Sequence, residues 1–123
     1  MKRDAQIDLH AVKPIHLVIH DRLLNWARWC KGGNGGSAMQ PMFRQYRAGY
    51  EEHDVVPIPI DSLDGHRVEK LVSALPEKHK TVIRWSYVHT YVPVRKVCQA
   101  IAVPYRDLPD MIHDARSMVR NRA

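Results

Sequence analysis

Over residues 75–119, proline interrupts helical periodicity at short intervals, and this constrains the fold more than any other feature of the chain. Pro76 suits the first turn of a helix, where a missing amide costs little, and Glu77 beside it favours the positive end of the dipole. That helix turns Val82, Ile83 and Tyr87 inward, with Trp85 at the margin of the same face. Pro93 breaks the chain. A short helix over residues 94–102 then buries Val94, Val97, Cys98 and Ile101. Residues 103–107 make a turn. A last helix over residues 108–120 buries Leu108, Met111, Ile112, Ala115, Met118 and Val119. Helix, tight turn and helix within a basic stretch is the layout of a helix-turn-helix, a device that sets a helix end in the major groove of DNA.

The upstream half supplies the rest of a small core. Residues 1–14 are polar and read as an arm closed by Pro14. Ile15, Ile19, Leu23, Trp26 and Cys30 then recur at helical spacing, widened by Leu24 and Trp29. A glycine-rich link from Lys31 to Ser37 ends that helix. Met42, Phe43, Tyr46 and Tyr50 fit a short helix, and Val55 to Ile60 alternates proline with branched residues, as an extended connector does. Asp61, Ser62 or Asp64 caps the next helix, which reaches about Leu75 and buries Leu63, Val68, Leu71, Val72 and Leu75. No segment reads as a strand, so the expected class is all-α. The chain divides into an arm, helix and link (1–37), a Pro-rich connector (38–60) and a helical DNA-binding region (61–123), together one compact unit.

At 123 residues there is room for a modest core and none for a large lidded cleft. The net charge of +6 favours a polyanionic partner, most commonly nucleic acid, and together with the helix-turn-helix layout the expected partner is double-stranded DNA. Cys30 and Cys98 form no CxxC pair, and the chain has neither a secretion signal nor an apolar run of membrane-spanning length, which points to the cytosol and to no membrane partner. His16 and His20 share a helical spacing, but no third metal ligand accompanies them. Glu51 to Asp54 reads as an acidic turn, and Cys30 has no paired base in sequence. The glycine-rich link lacks the Gly-Lys-Ser/Thr ending of a phosphate loop. Nothing in these residues argues for an enzyme, a cofactor or a metal.

A helix-turn-helix needs a small residue midway along its first helix, and Ala100 or Cys98 serves. Val103 supplies the apolar residue after the bend. Arg95 and Lys96 head the first helix, where phosphates would lie. Tyr105 and Arg106 stand where side chains meet bases or sugar. Lys80 and Arg84, with Lys78, extend the basic surface along the preceding helix, as do Arg116 and Arg120 on the last. Pro109 is tolerated only if the last helix starts at Leu108, which leaves Tyr105 and Arg106 in the turn. Asp107 and Asp110 place negative charge beside the same surface. A plain helical hairpin is the alternative. Trp26 and Trp29, three apart, read as core; with Arg28 they are otherwise a patch for a partner protein.

Two resemblances attach to these residues. Leu75-Pro76-Glu77-Lys78-His79-Lys80 and the helical pair after it resemble the C-terminal promoter-binding region of bacterial sigma factors. The helix Leu24-Asn25-Trp26-Ala27-Arg28-Trp29-Cys30, the glycine-rich link, the Pro-Ile-Pro-Ile-Asp connector and this tail together resemble the smaller phage late-gene antitermination Q proteins, over residues 15–119. The resemblance implies a protein that binds DNA near a late promoter, associates with paused host RNA polymerase, and makes it read through terminators. It implies Arg95, Lys96, Tyr105 and Arg106 as the DNA-facing set. It offers the N-terminal helix and link for contact with polymerase or a second copy of the chain. Other readings are a conventional repressor or activator, and a polymerase-binding inhibitor that does not touch DNA.

Overall fold

The computed structural model describes residues 8–32 and 59–123. The expected arm before residue 8, the rest of the glycine-rich link, the helix at Met42–Tyr50, the acidic turn at Glu51 and most of the Pro-Ile-Pro connector lie outside those residues. The described residues form five helices and no strand: α1 (Leu17–Lys31), α2 (Ser62–Ser73), α3 (Glu77–Tyr87), α4 (Val94–Ile101) and α5 (Leu108–Arg122). The described fold is all-α. One hydrophobic core takes residues from all five helices, from Ile19 and Trp26 on α1 to Val119 on α5.

Pro14 starts a single 3-10 turn, Pro14–His16, before α1. Its tighter winding breaks phase with the α-helical stripe. Ile15 therefore falls outside the core, 58% exposed, contrary to the expected stripe, and Leu24 on its flank is exposed as well. Ile19, Leu23, Trp26, Trp29 and Cys30 are buried. The α2 helix begins where its cap dictates. The Asp61 carboxylate accepts from the Asp64 amide at 3.0 Å, and Asn25 on α1 grips the Asp61 backbone at both N–H (2.8 Å) and C=O (2.9 Å). Arg22 donates to the Asp64 carboxylate at 2.7 Å. This register turns Gly65, Val68 and Val72 inward. Leu63 lies about two and a half turns from Val72, on the opposite face, and is 63% exposed rather than buried.

α1 and α2 pack closely because Gly65 has no side chain. A Cβ there would lie 2.7 Å from Cγ and 2.9 Å from Cβ of Trp29. Next along α2, Glu69 accepts from Trp26 Nε1 at 2.9 Å, from Ser73 Oγ at 2.9 Å and from Arg84 on α3 at 2.9 Å. One carboxylate thus joins three helices. Beyond α3, the amides of Val88 and His89 both reach the Arg84 carbonyl, and Trp85 Nε1 donates to the Val92 carbonyl at 2.8 Å. The indole therefore fixes the chain as it runs into α4.

α4 ends at Ala102, which adopts the left-handed conformation (φ 57, ψ 47). The Val103 amide reaches back to the Cys98 carbonyl at 3.1 Å, closing the end of the helix. A 3-10 turn, Tyr105–Asp107, leads into α5, whose second residue is Pro109. Proline is harmless there, because the first-turn amides have no intrahelical acceptor. Ala100 is exposed and does not mediate close helix packing; half-buried Cys98 lies against the core instead.

Two substitutions probe these constraints. Gly65→Ala should destabilise by about 1–3 kcal/mol, because the forced shift of Trp29 outweighs a helix-propensity gain of up to about 1 kcal/mol. Denaturant unfolding measures it, and a variant as stable as the parent would refute the close packing. Ala102→Gly should stabilise by roughly 1 kcal/mol by removing left-handed strain at an exposed site, read as a higher melting temperature.

Candidate nucleic-acid interface

The basic residues singled out in the sequence separate into two groups. Arg95 and Lys96 are exposed on the first turn of α4. The cap residue there, Pro93, provides no side-chain acceptor, and its carbonyl takes the Lys96 amide at 2.9 Å, which leaves the Val94 and Arg95 amides without a side-chain cap beside two cations. That is a favourable arrangement for a phosphate oxygen. Arg106 is exposed on the 3-10 turn, with Tyr105 half-buried beside it. Lys80 is half-buried in the first turns of α3 and lies 3.6 Å from Glu77. Arg120 is exposed near the far end of α5, about 20 Å along the helix from Arg106. Arg28 is half-buried.

The remaining residues are engaged inside the fold. Arg84 is 7% exposed and pairs with Glu69, and Arg116 is 2% exposed within its own cluster. Neither side chain projects from the surface, since Arg84 is held on Glu69 and Arg116 only borders a cleft, so both leave the expected DNA-facing set. Trp26 and Trp29 are buried as well, with the Trp26 indole N–H spent on Glu69, and they offer no docking patch. Carboxylates share the surface with the exposed cations: Asp107, Asp110 and Asp114 are all exposed along the start of α5.

Sequence reasoning missed a polar cluster around Arg116. Arg116 Nε donates to the Tyr87 hydroxyl at 2.9 Å, and one of its terminal nitrogens donates to the Ala11 carbonyl at 2.9 Å. Its guanidinium carbon lies 5.6 Å from the Tyr87 ring centroid. The Tyr87 hydroxyl accepts from arginine, so its one proton points to His20 Nδ1 at 2.6 Å. His16 Nε2 bonds the Ser117 hydroxyl at 2.8 Å, and the His16 ring stacks on His113. The two histidines paired by helical spacing, His16 in the 3-10 turn and His20 on α1, therefore serve different partners. No group of three metal-ligating side chains occurs among the described residues. Burial pushes the Cys30 thiol up to about 12, with Glu69 adding to the effect, so it is a packed thiol and not a poised nucleophile. The sequence signal for the cluster was slight: a lone Arg inside the apolar face of α5 and a Tyr at the end of α3.

No helix among the described residues is long and apolar enough to cross a membrane. Compared with protein families, with characterised proteins and with solved structures, the chain matches none.

Three histidines in or beside the cluster are held below the ordinary imidazole value of 6.5. His16 and His20 are lowered by burial first and then by the Arg116 charge. His113 is lowered by burial, then by Lys13 and Arg116. The folded protein thus binds fewer protons than the unfolded chain when the pH drops below about 6.5. Stability from these groups is complete above that pH and falls as acid titrates them. Melting temperature should decline between pH 7 and 5, before most carboxylates protonate; a flat profile across that window would contradict the cluster.

Proposed function

We propose that the chain is a DNA-binding transcription regulator of the phage antiterminator kind, whose α4–turn–α5 unit is a sigma-like helix-turn-helix. In this reading it binds DNA near a late promoter and associates with host RNA polymerase so that terminators are passed. The observation that carries the reading is that Arg95 and Lys96, at an α4 start with no side-chain cap, and Arg106, in the turn before α5, are all exposed. The net charge of +6 supports a polyanionic partner. Tyr105 adds a hydroxyl and ring for sugar or phosphate at the same turn. The DNA-facing set is Arg95, Lys96, Tyr105 and Arg106, with Lys80 at its margin. Arg120 stands apart and would contact DNA only through a longer footprint.

A second reading has its own observation. Asp107, Asp110 and Asp114 line the start of α5, where a base-reading helix is usually polar or basic. That surface favours a protein partner, as in a polymerase-binding inhibitor that leaves DNA alone.

The double variant Arg95→Ala/Lys96→Ala separates the two. Both side chains are exposed, so the fold should be unaffected. Loss of two phosphate contacts should weaken DNA binding about tenfold or more and reduce the log–log salt slope by roughly two. Unchanged affinity and slope would remove α4 from the interface. Single-round transcription with host polymerase, on a late-promoter template with a downstream terminator, then tests the specific activity. The expected result is terminator read-through that depends on promoter-proximal DNA; an effect on initiation alone would indicate a conventional repressor or activator.

A further inference from the structure

Arg116 is a buried cation, and no ion pair is made to it by any described residue. Its neighbours are neutral or basic: the Tyr87 hydroxyl, the Ala11 carbonyl and His113, whose Nδ1 lies 3.4 Å away. These bonds use Nε and one terminal nitrogen. The other terminal nitrogen has no hydrogen-bond partner among the described residues. A guanidinium removed from water ordinarily takes a carboxylate or phosphate across its planar fork.

The same guanidinium borders a half-open cleft of about 400 Å³, within the size range of small-molecule sites. His20, Tyr87, Thr90 and Lys31 contribute polar groups to its wall, and Leu9 and Leu24 contribute apolar ones. Among the described residues, no carboxylate lines it. Asp21, Asp110 and Asp114 act on nearby histidines only through space. The N-terminal segment, α1, α3 and α5 all reach this point, so whatever binds there bears on how they pack.

We propose that this cleft binds a small organic anion, with its carboxylate or phosphate on the Arg116 guanidinium and its apolar part against Leu9 and Leu24. The cleft is separate from the exposed cations of α4, and the inference does not depend on DNA binding. Lys31 at the lip adds a second positive charge, while Tyr87 and His20 hold the arginine side chain in place. Occupation would replace a missing counter-ion and tie the segment around Ala11 more firmly to α5.

The test uses the full-length protein without DNA, with inorganic phosphate and benzoate as separate probes and chloride as the control at equal ionic strength. Binding is followed at the Arg116 Nε–H resonance by NMR. At least one probe should give a saturable shift, and the stronger one identifies the headgroup. Lys31→Glu reverses an exposed charge and leaves the core intact, and it should weaken that binding about tenfold. No saturable shift from either probe, or the same response to chloride, would overturn the proposal. So would equal affinity in Lys31→Glu, because the anion would then sit elsewhere.

Discussion

The carboxylate of Glu69 is the point on which the packing of the first three helices turns. It accepts hydrogen bonds from Trp26, Ser73 and Arg84, which belong to α1, α2 and α3. A half-buried carboxylate and a buried guanidinium are costly apart and tolerable together. Their pairing therefore specifies one arrangement of α1, α2 and α3 out of the many that apolar burial alone would accept. Gly65 acts in the same direction by letting Trp29 lie against the α2 backbone. Apolar area holds these helices together, and the polar contacts fix their register.

A second buried arginine organises the opposite side of the bundle without a carboxylate. Arg116 joins α5 to Tyr87 on α3 and to the backbone before α1. Burial and the arginine both oppose protonation of the surrounding histidines, which therefore stay neutral to lower pH than a free imidazole would. The two arginines show how a side chain expected to face DNA can belong to the interior. A guanidinium on a long stem is compatible with either place, and spacing along one helix does not say which face another helix will cover.

Much of the helical framework was legible. The prolines at 76, 93 and 109 mark helix starts by chemistry that holds in any context, and α3, α4 and α5 begin within a residue or two of the expected positions. The stripe on α1 was legible from Ile19 onward, because apolar spacing is a local property. Errors arose where a local signal competed with a distant one. Leu63 was expected inside, but Asn25 and the Asp61 cap set the register that turns it out. The left-handed residue at the end of α4 is alanine where glycine is usual, so nothing in the sequence announced it.

The candidate surface divides along the same line. Arg95, Lys96 and Arg106 lie in a first turn and a connecting turn, positions that local punctuation fixes. The sequence by itself determined the helical character of the described residues, the approximate starts of α3 to α5 and a net positive charge, because these follow from proline chemistry, periodicity and composition. Only the tertiary structure decided which cations stay in solvent. It placed Arg84 against Glu69 and Arg116 against Tyr87, pairings between residues on separate helices that only three-dimensional packing brings together.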